Sequence, residues 1–364
     1  MRILIHLKNL DWVLIITATL LVGMGFLSLY SSSLGKGDFS NFQKQIIFFG
    51  VGFFLMFLLS FFDWRALRDN PYLILILYFL SLVLLAGLYF FAPIIRGVRS
   101  WYKIGELTID PIEFTKIVLI ILLAKYFSTR HVEMYQIRHI LLSGFYFLIP
   151  SLLVFFQPDL GQVIILILLW LGILIISGIS LKQLLILLFC FLLIFILAWH
   201  FVLKDYQKAR ILSFILPQLA DPLAIGWSEQ QAKIAIGSGG LFGQGIGRGS
   251  QTQYGFLPEP QTDFIFAALA EETGFLGVSL LLILFSILLW RILKIAFISQ
   301  TNFSRLFAAG FAILLISQIF INIGMNIGIL PIIGIPLPLI SYGGSNLITT
   351  FIGFGLLQSI KTHR

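Results

Sequence analysis

Residues 184–195 read LLILLFCFLLIF, inside an apolar run, 182–202, whose only strongly polar members are Lys182 and Gln183 at its start and His200 near its end. A helix crossing the hydrocarbon of a bilayer needs about 20 mostly apolar residues. This run is long enough and shows no alternation, so it reads as a membrane-spanning helix and not as a barrel strand. Working outward, similar runs lie near 12–33, 45–62, 71–92, 112–127, 140–157, 160–178, 264–290, 305–326 and 344–360. The fourth is short and begins polar. Hydrophobic residues make up 59% of the 364-residue chain and charged residues 11%. Soluble domains average about 45–50% and about 25%. The predicted fold is therefore an all-α polytopic membrane protein: a single integral membrane domain over residues 1–364, with about ten transmembrane helices. The first span is expected to be retained, because no small-residue cleavage site follows it.

The formal net charge is +8. The basic residues are spread singly over loops, with no basic stripe or aromatic RNA motif, which argues against nucleic acid and for cationic loops against anionic headgroups. With the N-terminus inside, one set of loops carries Arg65, Arg68, Arg291, Lys294, Arg305 and Lys361, while the opposite short loops carry fewer cations. An even number of spans returns the C-terminus to the same side, so both termini are predicted cytoplasmic. Most acids, among them Asp110, Asp159 and Asp263, fall on the other side, and the polar chemistry is expected there. The sole cysteine, Cys190, excludes an intramolecular disulfide and reads as a small core or lipid-facing residue. The five histidines are scattered and none is spaced as a zinc ligand, so no metal site is predicted.

Residues 203–262 form a long extracytoplasmic loop between the seventh and eighth spans. A connection of this length is more often functional than idle. Its glycines between Gly237 and Gly249 follow no strand and precede no Gly-Lys-Ser/Thr, so they are not a nucleotide loop. The segment NIGILPIIGIPLPLISYGG, 326–344, contains three prolines and cannot be one continuous helix. It is expected to be a looped or re-entrant segment sheltered by protein.

The ionisable residues near the spans each have two readings. Asp263 opens the eighth span after Pro258 and Pro260. It is either an acid placed at a helix start, where the dipole favours negative charge, or a general base for a sugar hydroxyl. Lys116 lies about 6 Å into the fourth span at about 1.5 Å per residue. It either snorkels, pairs with Glu113 three residues earlier, or meets an anionic headgroup such as a diphosphate. Glu271 and Glu272 point to different sides of the eighth span. Glu271 is expected at a cavity and Glu272 against another helix. Asp159 in QPDLG is a helix cap or a site residue. Arg210, Lys208 and Lys233 are the loop cations suited to phosphate.

QPDLG at 157–161, KIAIGSGGLFGQG at 233–245, FLPEPQTDFIFAALAEETG at 256–274 and GIPLPLISYGGS at 334–345, in this order, resemble the SEDS family of cell-wall polymerases. NIGMNIGILPIIGIPLPLISYGGS at 322–345 and the tail GFGLLQSIKTHR at 353–364 look like the elongation members (RodA-like) more than the division members (FtsW-like). The resemblance covers the whole chain and implies a peptidoglycan glycosyltransferase that polymerises lipid II at the outer face of the plasma membrane. It implies Asp263 as the essential aspartate and Lys116, preceded by Glu113, as the lysine of the fourth span. It also implies Arg210 and Lys233 as substrate-facing; Asp159 and Glu271 join the candidate substrate-binding residues from their own positions at the start of the sixth span and within the eighth. No cofactor is required, although a divalent cation would fit the chemistry. The implied partners are a class B penicillin-binding protein, a transpeptidase, and other elongation-complex proteins. Two departures stand out: in GVRSWYKIG, Arg99 is displaced by one position from Trp101, and the residues before Asp263 include Pro-Gln where related chains often carry charge. On the residues alone, the competing class is a flippase for a lipid-linked precursor, which would need polar residues through the midplane and on both sides of the path.

Overall fold

Burial, more than length, separates the helices of this bundle. In the computed structural model, the described residues are 2–94, 98–129, 136–204, 207–209, 212, 214 and 225–363. Among them the chain runs α1 (Arg2–Asn9), α2 (Trp12–Lys36), α3 (Ser40–Phe61), α4 (Arg65–Asp69) and α5 (Pro71–Phe91). A short hairpin, β1 (Tyr102–Ile104) and β2 (Leu107–Ile109), leads into α6 (Pro111–Ser128), α7 (Ile137–Phe156), α8 (Leu160–Ile176) and α9 (Leu181–Phe201). Next come α10 (Ile225–Ser238) and the one-turn α11 (Ser250–Gln253), both within the long loop, then α12 (Ile265–Ile298), α13 (Asn302–Ile327) and α14 (Gly344–Thr362). Each of the ten expected spans is a helix. Seven helices are long and apolar enough to cross a membrane by themselves. Of the other three, α8 is 17 residues long, and α6 and α14 carry polar side chains turned into the protein. The chain is a multi-pass membrane protein.

The fourth span begins polar because it is the hub. Fourteen of the 18 residues of α6 are buried, Glu113 and Lys116 included. None of the 21 residues of α9 is buried. The most extensive helix pairing is α14 on α3. A side chain at Gly355 would start 2.8 Å from the Leu59 Cβ and 2.9 Å from the Met56 carbonyl, and small residues let membrane helices approach this closely. The eighth span is longer than its apolar run suggests. It is broken at Gly274, where φ is +65°, and it continues past Trp290 and Arg291 to Ile298.

The hairpin was not anticipated in a chain read as all-α. It joins Tyr102 to Ile109 and Ile104 to Leu107 in antiparallel register. The turn is Gly105–Glu106, with Gly105 at φ +62°, a conformation that two-residue hairpin turns require.

The two ends of the bundle differ in charge. At one end Asp11 caps α2 and receives the Arg291 guanidinium at 2.6 and 3.0 Å and the Lys361 ammonium at 3.2 Å. Gln358 donates to the Asp11 carbonyl and accepts from its amide. This latch ties the first span to α12 and α14. The other end collects the starts of α6, α8, α12 and α14, and with them the acids.

Candidate functional site

Asp263 stands just outside a helix. Α12 begins at Ile265, with Phe264 at the cap position and no side-chain cap. The aspartate therefore belongs to the preceding turn and not to the first helical turn. The turn is closed by the amides of Thr262 and Phe264, which both donate to the Glu259 carbonyl at 3.2 and 3.3 Å. Glu259 has φ +44°, a region that non-glycine residues occupy at a cost and that clusters at functional sites.

Two buried asparagines hold this turn by its backbone. Asn322 and Asn326 lie one turn apart on α13 and are fully buried. Their Nδ2 groups donate to the Asp263 carbonyl at 3.1 and 3.0 Å. Asn322 also donates to the Ile335 carbonyl at 2.8 Å, and the Asn326 Oδ1 accepts the Ala267 amide at 3.2 Å. One amide pair thus fixes the aspartate, the first turn of α12 and the segment that follows α13. The Asp263 side chain itself is half-buried.

That segment, residues 328–343, is the expected irregular stretch, and Ile335, Leu337 and Ile340 in it are fully buried. It works as a strap between two groups of polar residues. On one side the Ser341 hydroxyl donates to the Thr262 carbonyl at 2.7 Å, and the Tyr342 amide donates to the Gln261 carbonyl at 2.8 Å. A side chain at Gly334 would begin 3.6 Å from Asp263 Oδ2. On the other side the strap passes so near α8 that a side chain at Gly161 would sit 2.6 Å from the Ile333 carbonyl. Beyond the strap, Ser345 accepts the Asp110 amide at 2.8 Å, and Asn346 donates to Glu113 Oε2 at 3.0 Å.

The Glu113 group is a closed network. Lys116 Nζ lies 2.7 Å from Glu113 Oε1 and 3.2 Å from Gln162 Oε1, and its side chain is wholly enclosed. Of the three readings of Lys116, the structure holds the intrahelical pair, extended to α8 and α14. Asp110 and Asp159 cap α6 and α8, accepting the Ile112 and Gln162 amides at 3.2 Å each. Desolvation pushes the Asp159 carboxyl above its ordinary range, against the pull of the Gln162 amide, the Ser100 hydroxyl and Lys116. Desolvation, reinforced by Glu113 and Asp159, pushes Asp110 well above.

The remaining expected residues are placed differently. Glu271 was expected to line a cavity. It is instead fully buried, and its oxygens accept the Gln251 amide at 2.6 Å and the Thr252 amide and hydroxyl at 3.0 and 2.7 Å. The reason is that the loop folds back on α12, so the carboxylate caps α11. Glu272 meets another helix, as expected. It accepts from the Ser31 hydroxyl of α2 and from the Gly247 amide. Lys233 on α10 pairs with Glu229 at 2.6 Å, half-exposed, and lies over Gly328, where α13 ends. Arg210 lies outside the described residues. Among the described residues no group of three His, Cys, Asp or Glu side chains is arranged to hold a metal ion.

Sequence reasoning missed Asn322, Asn326, Gln162, Ser341 and Asn346. The asparagines did carry a signal, because two amides four residues apart in an apolar helix share one face and need buried partners.

A family model described as cell cycle protein, covering FtsW, RodA and SpoVE, matches residues 11–364. The peptidoglycan glycosyltransferase MrdB of Escherichia coli K12 is 41% identical over 288 residues, 79% of this chain and 77% of that protein. Among solved structures, a chain of a peptidoglycan synthase complex described as coordinating polymerization and crosslinking has a TM-score of 0.83. It is 32% identical, with 97% of each chain covered. The rod shape determining protein RodA of Thermus thermophilus has a TM-score of 0.73 at 31% identity, with 98% of this chain and 97% of that one covered.

Proposed function

The chain belongs to the FtsW/RodA/SpoVE family, and from that footing we propose that it is a peptidoglycan glycosyltransferase of the elongation type that polymerises lipid II with Asp263 as general base. The observation that carries the assignment of Asp263 is its combination of a clamped backbone and a residue that is not fully buried. A base must be held in place and still reach its proton. In the proposed step, the Asp263 carboxylate takes the proton of the acceptor sugar's 4-hydroxyl. The freed oxygen forms a bond to the anomeric carbon of the donor, and the bond from that carbon to the polyprenyl diphosphate breaks. Attack opposite the leaving group inverts the centre to a β linkage. The diphosphate leaves as an anion, so a general acid is not needed if cations meet its charge.

Lys233 and Arg210 are assigned to that charge. Lys116 is enclosed, so its role here is to join α6, α8 and α14 beneath the substrate, together with Glu113 and Asp159. Glu271 is assigned the folding of the loop over the site. A divalent cation sharing the diphosphate's charge is compatible with this scheme. The distribution of cations supports one orientation in the membrane. The Arg65, Arg68, Arg291 and Lys361 end is placed in the cytoplasm with both termini, and the Asp263 end outside. Crosslinking is assigned to a class B penicillin-binding protein in an elongation complex, in keeping with the likeness to a chain of a peptidoglycan synthase complex.

The test is polymerisation of lipid II by purified protein. Asp263→Asn is expected to abolish polymer while the melting temperature in detergent stays within about 2 °C of wild type, the range of a near-neutral surface change. Substantial polymer from the pure variant removes the base assignment.

A further inference from the structure

The end of the bundle opposite Asp263 contains a cavity of about 100 Å³, room for a few waters or one phosphate group. Trp64, Arg65, Arg68, Thr301, Ser304 and His363 line it. We infer that it binds the phosphate of an anionic phospholipid headgroup.

Three kinds of donor converge there. Thr301 and Ser304 form the capped start of α13, a 26-residue helix, and a helix start concentrates amide donors and positive potential. The Arg65 guanidinium uses Nη2 on the His363 carbonyl at 3.1 Å and lies 3.9 Å from Asp63. Arg68 uses Nε and Nη2 on Asp69. A guanidinium has five N–H donors, so both keep donors beyond these contacts. The third is Trp64, which is 5% exposed. It stacks on Phe303 with an interplanar angle of 6°, and the Arg68 guanidinium lies 5.4 Å from its ring centre. Its indole Nε1 is buried without a partner among the described residues. A buried N–H normally finds an acceptor, and an anionic oxygen in the cavity would be one.

The surroundings favour a lipid as the source of the phosphate. Ser299 also borders the cavity, and the two residues before it, Phe297 and Ile298, are exposed at 79% and 44%. They offer acyl chains an apolar surface next to the phosphate site. Arg291 and Lys361 lie at the same end, and an anionic inner leaflet is drawn to such a surface.

The test uses the full chain purified in detergent and mixed with phosphatidylglycerol or phosphatidylcholine, with retained lipid counted by native mass spectrometry. Trp64→Phe keeps the ring stack and removes the N–H. Arg65→Gln with Arg68→Gln removes the cations. Retained phosphatidylglycerol is expected to fall about tenfold in the double variant and severalfold in Trp64→Phe, as charge-assisted contacts imply, with phosphatidylcholine unchanged. Because Trp64→Phe preserves the stack, it reads the site even if the double variant folds poorly. Equal retention of phosphatidylglycerol by wild type and Trp64→Phe overturns the proposal. A parallel arm adds inorganic phosphate in phosphatidylcholine nanodiscs and follows the melting temperature. Protection there that Trp64→Phe abolishes, with no variant-dependent lipid retention, overturns the lipid and assigns the cavity to free phosphate. The proposal is independent of the chemistry at Asp263.

Discussion

Α6 and α9 are both helices of a membrane bundle, and they sit at opposite extremes of it. Α6 carries Glu113, Lys116 and Lys125 and is almost entirely buried. Α9 carries hardly a polar side chain along its length and is buried nowhere. In water the apolar helix would be inside. In lipid the hydrocarbon already satisfies an apolar surface, so the helix that must be covered by protein is the one bearing charge. The stretch that makes the membrane reading obvious is thus the least informative about function, and the short polar span is the hub on which the site is built.

The comparison is broken most severely by leaving one charge of α6 without its partner. Among the described residues, Lys116→Met leaves the buried Glu113 carboxylate with Asn346 as its remaining side-chain hydrogen-bond donor. Removing one member of a buried pair costs about 3–5 kcal/mol, and the variant is expected to lose that much stability in detergent unfolding. Adding Glu113→Gln removes the stranded charge, and the double variant is expected to recover most of the loss. If Lys116→Met alone unfolds like wild type, the pair is not what holds α6 to α8 and α14.

How much of this was legible in the sequence follows the same division. The ten spans were readable because apolar runs near 20 residues have one solution in a bilayer. The three prolines of 331–338 marked the strap as irregular, whereas Asp263, read as opening the eighth span, lies in the turn just before α12 begins at Ile265. Partners across the bundle were not readable. Nothing in the chain says that Asn346 reaches Glu113 or that Gln162 reaches Lys116, since both are contacts between distant segments. Glu271 misled for a related reason. An acid in a span suggests a cavity, and only the tertiary fold reveals that a loop supplies its donors. The short hairpin escaped because three-residue strands fall below any periodicity.

The clamp on Asp263 sharpens the comparison on the α13 side. Asn322→Ala removes one of the two amides on the Asp263 carbonyl and one on Ile335, leaving the carboxylate itself untouched. If the asparagines position the base, polymerisation falls about ten- to a hundredfold, the effect of a displacement near 1 Å. The loss should appear in kcat more than in KM, and Asn322→Asp should not restore it, because a carboxylate cannot donate. An unchanged rate with lowered stability would make the clamp purely structural. The pH profile separates the two roles further: a displaced base alters its limbs, and a merely loosened bundle does not.

The weakest effects belong to α9. Phe189→Ala and Leu192→Ala change side chains exposed at 59% and 55%, and each is expected to shift stability by no more than about 0.5 kcal/mol, as for surface positions elsewhere. Cys190, between them, is exposed. If α9 faces lipid, a membrane-soluble maleimide labels this thiol in the intact membrane and a charged, impermeant one does not. A thiol closed to both reagents, in a protein whose α9 substitutions cost as much as those in α6, would mean that another protein covers this helix in the membrane. The contrast between the two helices would then describe the isolated chain and not its working assembly.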